Sequence, residues 1–125
     1  MSVTYTWQLP RDSTAPAQAR WHLRELATSD IEAVDAELVV TELVTNAWKH
    51  GSGLGSISLQ VDVRDDCLHI EVCGDAVGAP EPKLADDVSA SDGRGLLLID
   101  GLALDWGFER RDDVLCVWAD VAYPP

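Results

Sequence analysis

At 125 residues the chain has the length of one domain with its own core, and a composition of 46% hydrophobic and 25% charged residues excludes a disordered tract or a membrane bundle. Twenty-two acidic residues against nine Lys plus Arg give a net charge of −13, a field that repels duplex nucleic acid and anionic lipid surfaces. A polyanion held against that field needs Mg2+, main-chain N–H groups and a few placed cations.

Residues 3–9 alternate loosely and predict a strand that ends at Pro10. Ser13 or Thr14 then caps a first helix, with Pro16 tolerated in its opening turn and Trp21, Leu23 and Leu26 forming its apolar stripe as far as Ala27. Ser29-Asp30 caps a longer second helix with Glu32 in its first turn, running to His50 with Gly51 as a C-terminal stop. Its apolar positions Val39, Val40, Leu43, Val44 and Ala47 recur at helical spacing.

The pattern then changes to period two. Residues 56–64 (SISLQVDVR) and 67–73 (CLHIEVC) predict two strands joined at Arg64-Asp65-Asp66. From Gly74 to Arg94 the chain is rich in Gly, Pro, Asp, Ala and Ser without periodicity, the texture of a lid or binding loop. Residues 95–102 predict a short apolar helix, and residues 104–110 and 114–121 a last hairpin around Arg111-Asp112-Asp113. The order implies one α+β domain over residues 1–125, a two-layer sandwich whose mostly antiparallel, mixed sheet is covered on one face by helices.

No apolar run approaches the ~20 residues that cross a bilayer. The opening MSVTYTWQLPRD lacks the basic-then-apolar order of a signal peptide, so no membrane association and a cytoplasmic location are expected. Cys67, Cys73 and Cys116 sit in strand-like runs and read as reduced core residues. They form no CxxC and no Cys/His quartet, and His22, His50 and His69 show no ligand spacing, so no protein metal cage is expected.

Three places can carry chemistry. Glu42, Asn46, Lys49 and His50 stand at i, i+4, i+7 and i+8 and share one side of the second helix. Amide and carboxylate oxygens are hard ligands suited to Mg2+ or its waters, although a solvated polar face has the same spacing. Asp92-Gly93-Arg94-Gly95-Leu96 precedes an apolar helix, where glycines let main-chain N–H groups approach a phosphate and the helix dipole favours its charge; glycines also simply end loops. Gly74-Asp75 follows a strand directly, so its carboxylate can accept a hydrogen bond from an exocyclic amine, or the pair is an ordinary turn.

In this order the three pieces resemble the GHKL ATPase superfamily and its Bergerat fold, the histidine-kinase-like ATPase fold. Within it the likeness is to the anti-sigma factor/serine-protein kinase family, especially the single-domain ATP-binding regulators of actinobacteria. ELVVTELVTNAWKHG (37–51) looks like the N box and GRGLLLIDGLALDWGFE (93–109) like the second glycine box (93–97) with its following strand; the lid falls at about 74–94. The resemblance implies ATP and Mg2+ as cofactors, with Asn46 on Mg2+ through the nucleotide. It implies Glu42 as the catalytic carboxylate that orients or deprotonates a water or a partner's serine, with Lys49 and His50 near the phosphates. Gly93, Arg94, Gly95 and Leu96 correspond to the lid-closing segment that holds phosphate, and Gly78 to the glycine of the first box. For adenine the family places Asp directly after the strand, whereas this chain reads Cys73-Gly74-Asp75-Ala76-Val77-Gly78-Ala79-Pro80. Either Asp75 reads adenine from a strand that ends one residue late, or Gly74 holds the aspartate's position and adenine recognition is weakened. The implied function is an anti-sigma factor that phosphorylates a serine of an anti-anti-sigma partner, competing with a sigma factor and working as a homodimer without direct nucleic-acid contact. The alternative is a non-catalytic or weakly ATP-binding sequestration module of the same fold. An isolated histidine-kinase catalytic domain fits less well, because no phosphoacceptor helix is present.

Overall fold

A computed structural model describes residues 2–26, 33–50, 55–76 and 94–124. In chain order they form β1 (Val3–Leu9), α1 (Ala15–Leu26), α2 (Val34–His50), β2 (Ile57–Val63), β3 (Cys67–Asp75), α3 (Arg94–Leu102), β4 (Asp105–Arg111) and β5 (Val114–Ala122). The strands make one five-stranded sheet in the order β1-β2-β3-β5-β4. Every pairing among the described residues is antiparallel, so the mixed character expected from the sequence is absent there. The final hairpin inserts β5 beside β3 and leaves β4 at the edge.

Strand alternation divides the sheet into two faces. Leu9, Ile57, Leu59, Val61, Leu68, Ile70, Val72, Val117, Ala119 and Val121 are buried and share one core with Leu23 of α1, Val39, Val40, Leu43 and Val44 of α2, and Leu96 and Ile99 of α3. Helices thus cover one face, with α2 packed on both α1 and α3. Along β3 the alternate positions His69, Glu71 and Cys73 point to the opposite, half-exposed face, as do Cys116, Trp118 and Asp120 of β5.

The ends of the helices follow from local chemistry. Thr14 occupies the position before α1: its carbonyl accepts from the Gln18 N–H at 3.1 Å. Its own N–H and hydroxyl donate to the Asp12 carboxylate, an Asx turn that fixes the approach from Pro10. Those two donors hold the Asp12 carboxyl below its usual range. Asp35 and Glu37 lie in the first turn of α2 and Lys49 and His50 in its last, both complementing the helix dipole. The expected Ser29-Asp30 cap lies outside the described residues, as does the Gly51 stop.

Two expectations are corrected. The lid does not begin at Gly74: β3 continues through Gly74 and Asp75, which pair with Leu115 and Val114 of β5. A Gly-Asp pair reads locally as a turn, but the neighbouring strand supplies the partners that keep it extended. The cysteines are not all reduced core residues either. Cys67 alone is buried and free, while Cys73 and Cys116 face each other across β3 and β5 and form a disulfide with a Cα–Cα distance of 4.1 Å.

Candidate functional site

The polar stripe of α2 stands at the edge of the core. Leu43 and Val44 are buried, Glu42 and Asn46 are half-buried, and Lys49 and His50 are exposed at the C-terminal end. Neither the Glu42 nor the Asn46 side chain makes a hydrogen bond or ion pair with another described residue. Two uncharged or anionic oxygen donors, partly withdrawn from water and four residues apart, are a chemically suitable pair for a hard cation and for a proton acceptor.

The helix they occupy packs on α3, whose first residue is Arg94. Its opening turn brings main-chain N–H groups that have no partner within the helix, together with the positive end of its dipole. Leu96 is 5% exposed and belongs to the core, so what it offers a ligand is its main chain rather than its side chain. Arg94 and Gly95 are placed in α3 by their backbone. Gly78 and Gly93 lie outside the described residues, as does most of the expected lid.

The C-terminal end of β3 is tied to α2 by a residue that sequence reading passed over. The Arg11 guanidinium donates from Nη1 to the Ala47 carbonyl at 2.8 Å and from Nη2 to the Asp75 carbonyl at 3.2 Å. Ala47 is within the last turn of α2, where carbonyls lack intrahelical partners, so Arg11 also serves as a side-chain cap. A Cβ on Gly74 would stand 2.9 Å from Arg11 Nη2. Glycine at position 74 is therefore what lets the guanidinium cross the strand end. A second guanidinium lies close by: Arg110 Nη1 donates to the Ala76 carbonyl at 2.9 Å, and the Ala76 N–H donates to Asp113 O at 2.8 Å. No local pattern announces either arginine, because each acts on carbonyls far away in sequence.

Alternation along β3 gives Gly74 to the helix-covered face, after Ile70 and Val72, and Asp75 to the other, after Glu71 and Cys73. Asp75 is half-buried, and its carboxylate lies over Gly55 just before β2, with Oδ2 3.0 Å from the point a Cβ there would occupy. Gly55 has φ +72°, the left-handed region that favours glycine. The structure thus carries Glu42, Asn46, Lys49 and His50 on one helix, and that helix packs on α3. It does not bring the Asp75 side chain to the same face of β3 as α2; Gly74 and the Arg11 guanidinium occupy that side.

Helices cover one face of an antiparallel sheet, and the chain is matched over residues 9–120 by the family model of the histidine kinase-like ATPase domain. The chain belongs to that family. It is a GHKL-type ATPase domain, and membership carries nucleotide binding, generally with Mg2+. No curated protein matches the sequence. No described helix is long and apolar enough to cross a membrane.

Proposed function

We propose that this ATPase domain is an ATP-binding anti-sigma factor that phosphorylates a serine of an anti-anti-sigma partner. The observation that carries the reading is the half-buried pair Glu42 and Asn46, both without a partner among the described residues, on the helix that packs against α3. Asn46 is suited by its amide oxygen to hold Mg2+ on the nucleotide phosphates, where the cation would offset the phosphate charge. Glu42 takes the proton of the attacking serine hydroxyl while the γ-phosphoryl group passes from ATP to that oxygen and ADP departs. Main-chain N–H groups at residues 93–96 hold the phosphates, with Gly78 in the first glycine box and Lys49, His50 and Arg94 supplying positive charge against a net −13. In this reading the protein acts in the cytoplasm as a homodimer, and the unphosphorylated partner displaces a sigma factor from it.

A second reading is favoured by one specific feature. With Gly74 on the helix side of β3 and Arg11 filling the space beside it, no carboxylate among the described residues of β3 stands on that side to receive the adenine amine. A domain that binds ATP weakly and acts by sequestering a protein fits that arrangement. Incubation with γ-labelled ATP, Mg2+ and an anti-anti-sigma domain separates the two. The kinase reading predicts label on a partner serine, lost in Glu42→Gln. Stable partner binding without transfer sinks that reading and leaves sequestration.

A further inference from the structure

The open face of the sheet, opposite the helices, carries a group of side chains that the ATPase reading does not use. Cys73 of β3 and Cys116 of β5 are directly paired, and Glu71 precedes Cys73 by two residues on the same face of the strand. The two sulfurs and a Glu71 carboxylate oxygen all lie within 4.8 Å of one another. Glu71 Oε1 is 3.7 Å from Cys73 Sγ. A disulfide sulfur has no proton to donate, so this approach is a contact rather than a hydrogen bond. All three residues are half-buried and reachable from solvent.

We propose that Cys73, Cys116 and Glu71 form a binding site for one Zn2+ ion when the disulfide is opened to two thiols. Opening it takes two electrons and two protons from a dithiol reductant, which is left as a disulfide itself. Zn2+ then displaces the two thiol protons and is held by two thiolates and one carboxylate. Tetrahedral coordination at a Zn–S length of about 2.3 Å sets the two sulfurs roughly 3.8 Å apart. Rotation of the side chains on directly paired strands reaches that spacing without a change of register. Glu109 is paired with Cys116 on the far side, but both its oxygens are taken by Arg111 at 3.0 Å. Among the described residues the fourth position is therefore left to water or an exogenous ligand, the arrangement of an open zinc site. The −13 charge of the chain favours a cation here for the same reason that it opposes a polyanion elsewhere. Disulfide and metal exclude each other, so occupancy reports the redox state of the pair.

Cys67 does not compete. It is buried near the other end of β3, and burial, aided by Asp120 and Asp66, pushes its thiol up. The site lies on the sheet face away from α2 and does not depend on nucleotide binding.

Titration of the intact protein with Co2+ as a spectroscopic probe, then with Zn2+ alone, tests the proposal with and without prior reduction. Reduced protein is expected to bind one Co2+ with a thiolate-to-cobalt absorption band that Zn2+ abolishes. Oxidised protein should show no such band. Cys73→Ser and Cys116→Ser should each lose it, Cys67→Ser should keep it, and Glu71→Gln should weaken binding about tenfold or more. Circular dichroism of each variant confirms that the sheet is intact. A band missing from the reduced wild type overturns the proposal, as does a band retained in Cys73→Ser/Cys116→Ser.

Discussion

Arg11 follows the proline that closes β1, and its guanidinium spans the last turn of α2 and the end of β3 through two main-chain carbonyls. Gly74 is the condition for that span, since a Cβ there would meet Nη2 at 2.9 Å. Gly74→Ala is therefore expected to cost about 1–3 kcal/mol as an overpacking substitution. In the Arg11→Ala background the added methyl loses its close approach and meets Ile57 at an ordinary contact distance of 3.9 Å, so chemical denaturation of the four variants should give a coupling of about 1 kcal/mol or more. Additive costs would show that Arg11 is not what Gly74 accommodates. Asp12, next in sequence, has its carboxyl lowered first by the Thr14 hydroxyl and then by the Thr14 N–H. A depressed folded pKa contributes stability above the unfolded value and loses it as pH falls through the folded one. NMR titration should place Asp12 below the ordinary aspartate value in the wild type and return it toward that value in Thr14→Ala.

At the scale of elements, the strands and α2 were legible because their burial patterns repeat locally. The period-two run 56–64 and the helical spacing of Val39, Val40, Leu43 and Val44 both became core faces. What escaped was decided by neighbours. Gly74 and Asp75 stay extended only because Leu115 and Val114 pair with them, and the Cys73–Cys116 contact is set by a register that no stretch of single sequence displays. The site was legible to the extent that it lies on one helix: the i, i+4 relation of Glu42 and Asn46 is a property of α2 alone. Arg11 and Arg110 were not, since their partners lie 34 to 64 residues away. The β4–β5 ribbon offers a direct check of cross-strand packing. Trp118 lies over Gly107, where a Cβ would meet the indole at 2.9–3.0 Å, and it stacks on His69 with ring centroids 5.5 Å apart. Gly107→Ala should displace the indole from His69, shift the tryptophan emission and lower stability by about 1 kcal/mol. An unchanged spectrum and midpoint would mean that the ring accommodates the methyl freely.

Across the whole molecule, an acidic chain of net charge −13 that binds a nucleotide has to offset its own field at the binding site. The end of α2 carries Lys49 and His50, Arg11 joins that end to β3, and α3 packs on α2. The opposite face of the sheet carries His69, Glu71, the cysteine pair and Trp118. The central claim is that the nucleotide lies between the polar stripe of α2 and the start of α3. Calorimetric titration with Mg-ATP and Mg-ADP, repeated without Mg2+ and with Asn46→Ala, tests it most directly. The account predicts Mg2+-dependent binding at one site per chain, with most of that dependence gone in Asn46→Ala. Binding that Asn46→Ala leaves unchanged, or no binding by the wild type at millimolar nucleotide, would contradict it.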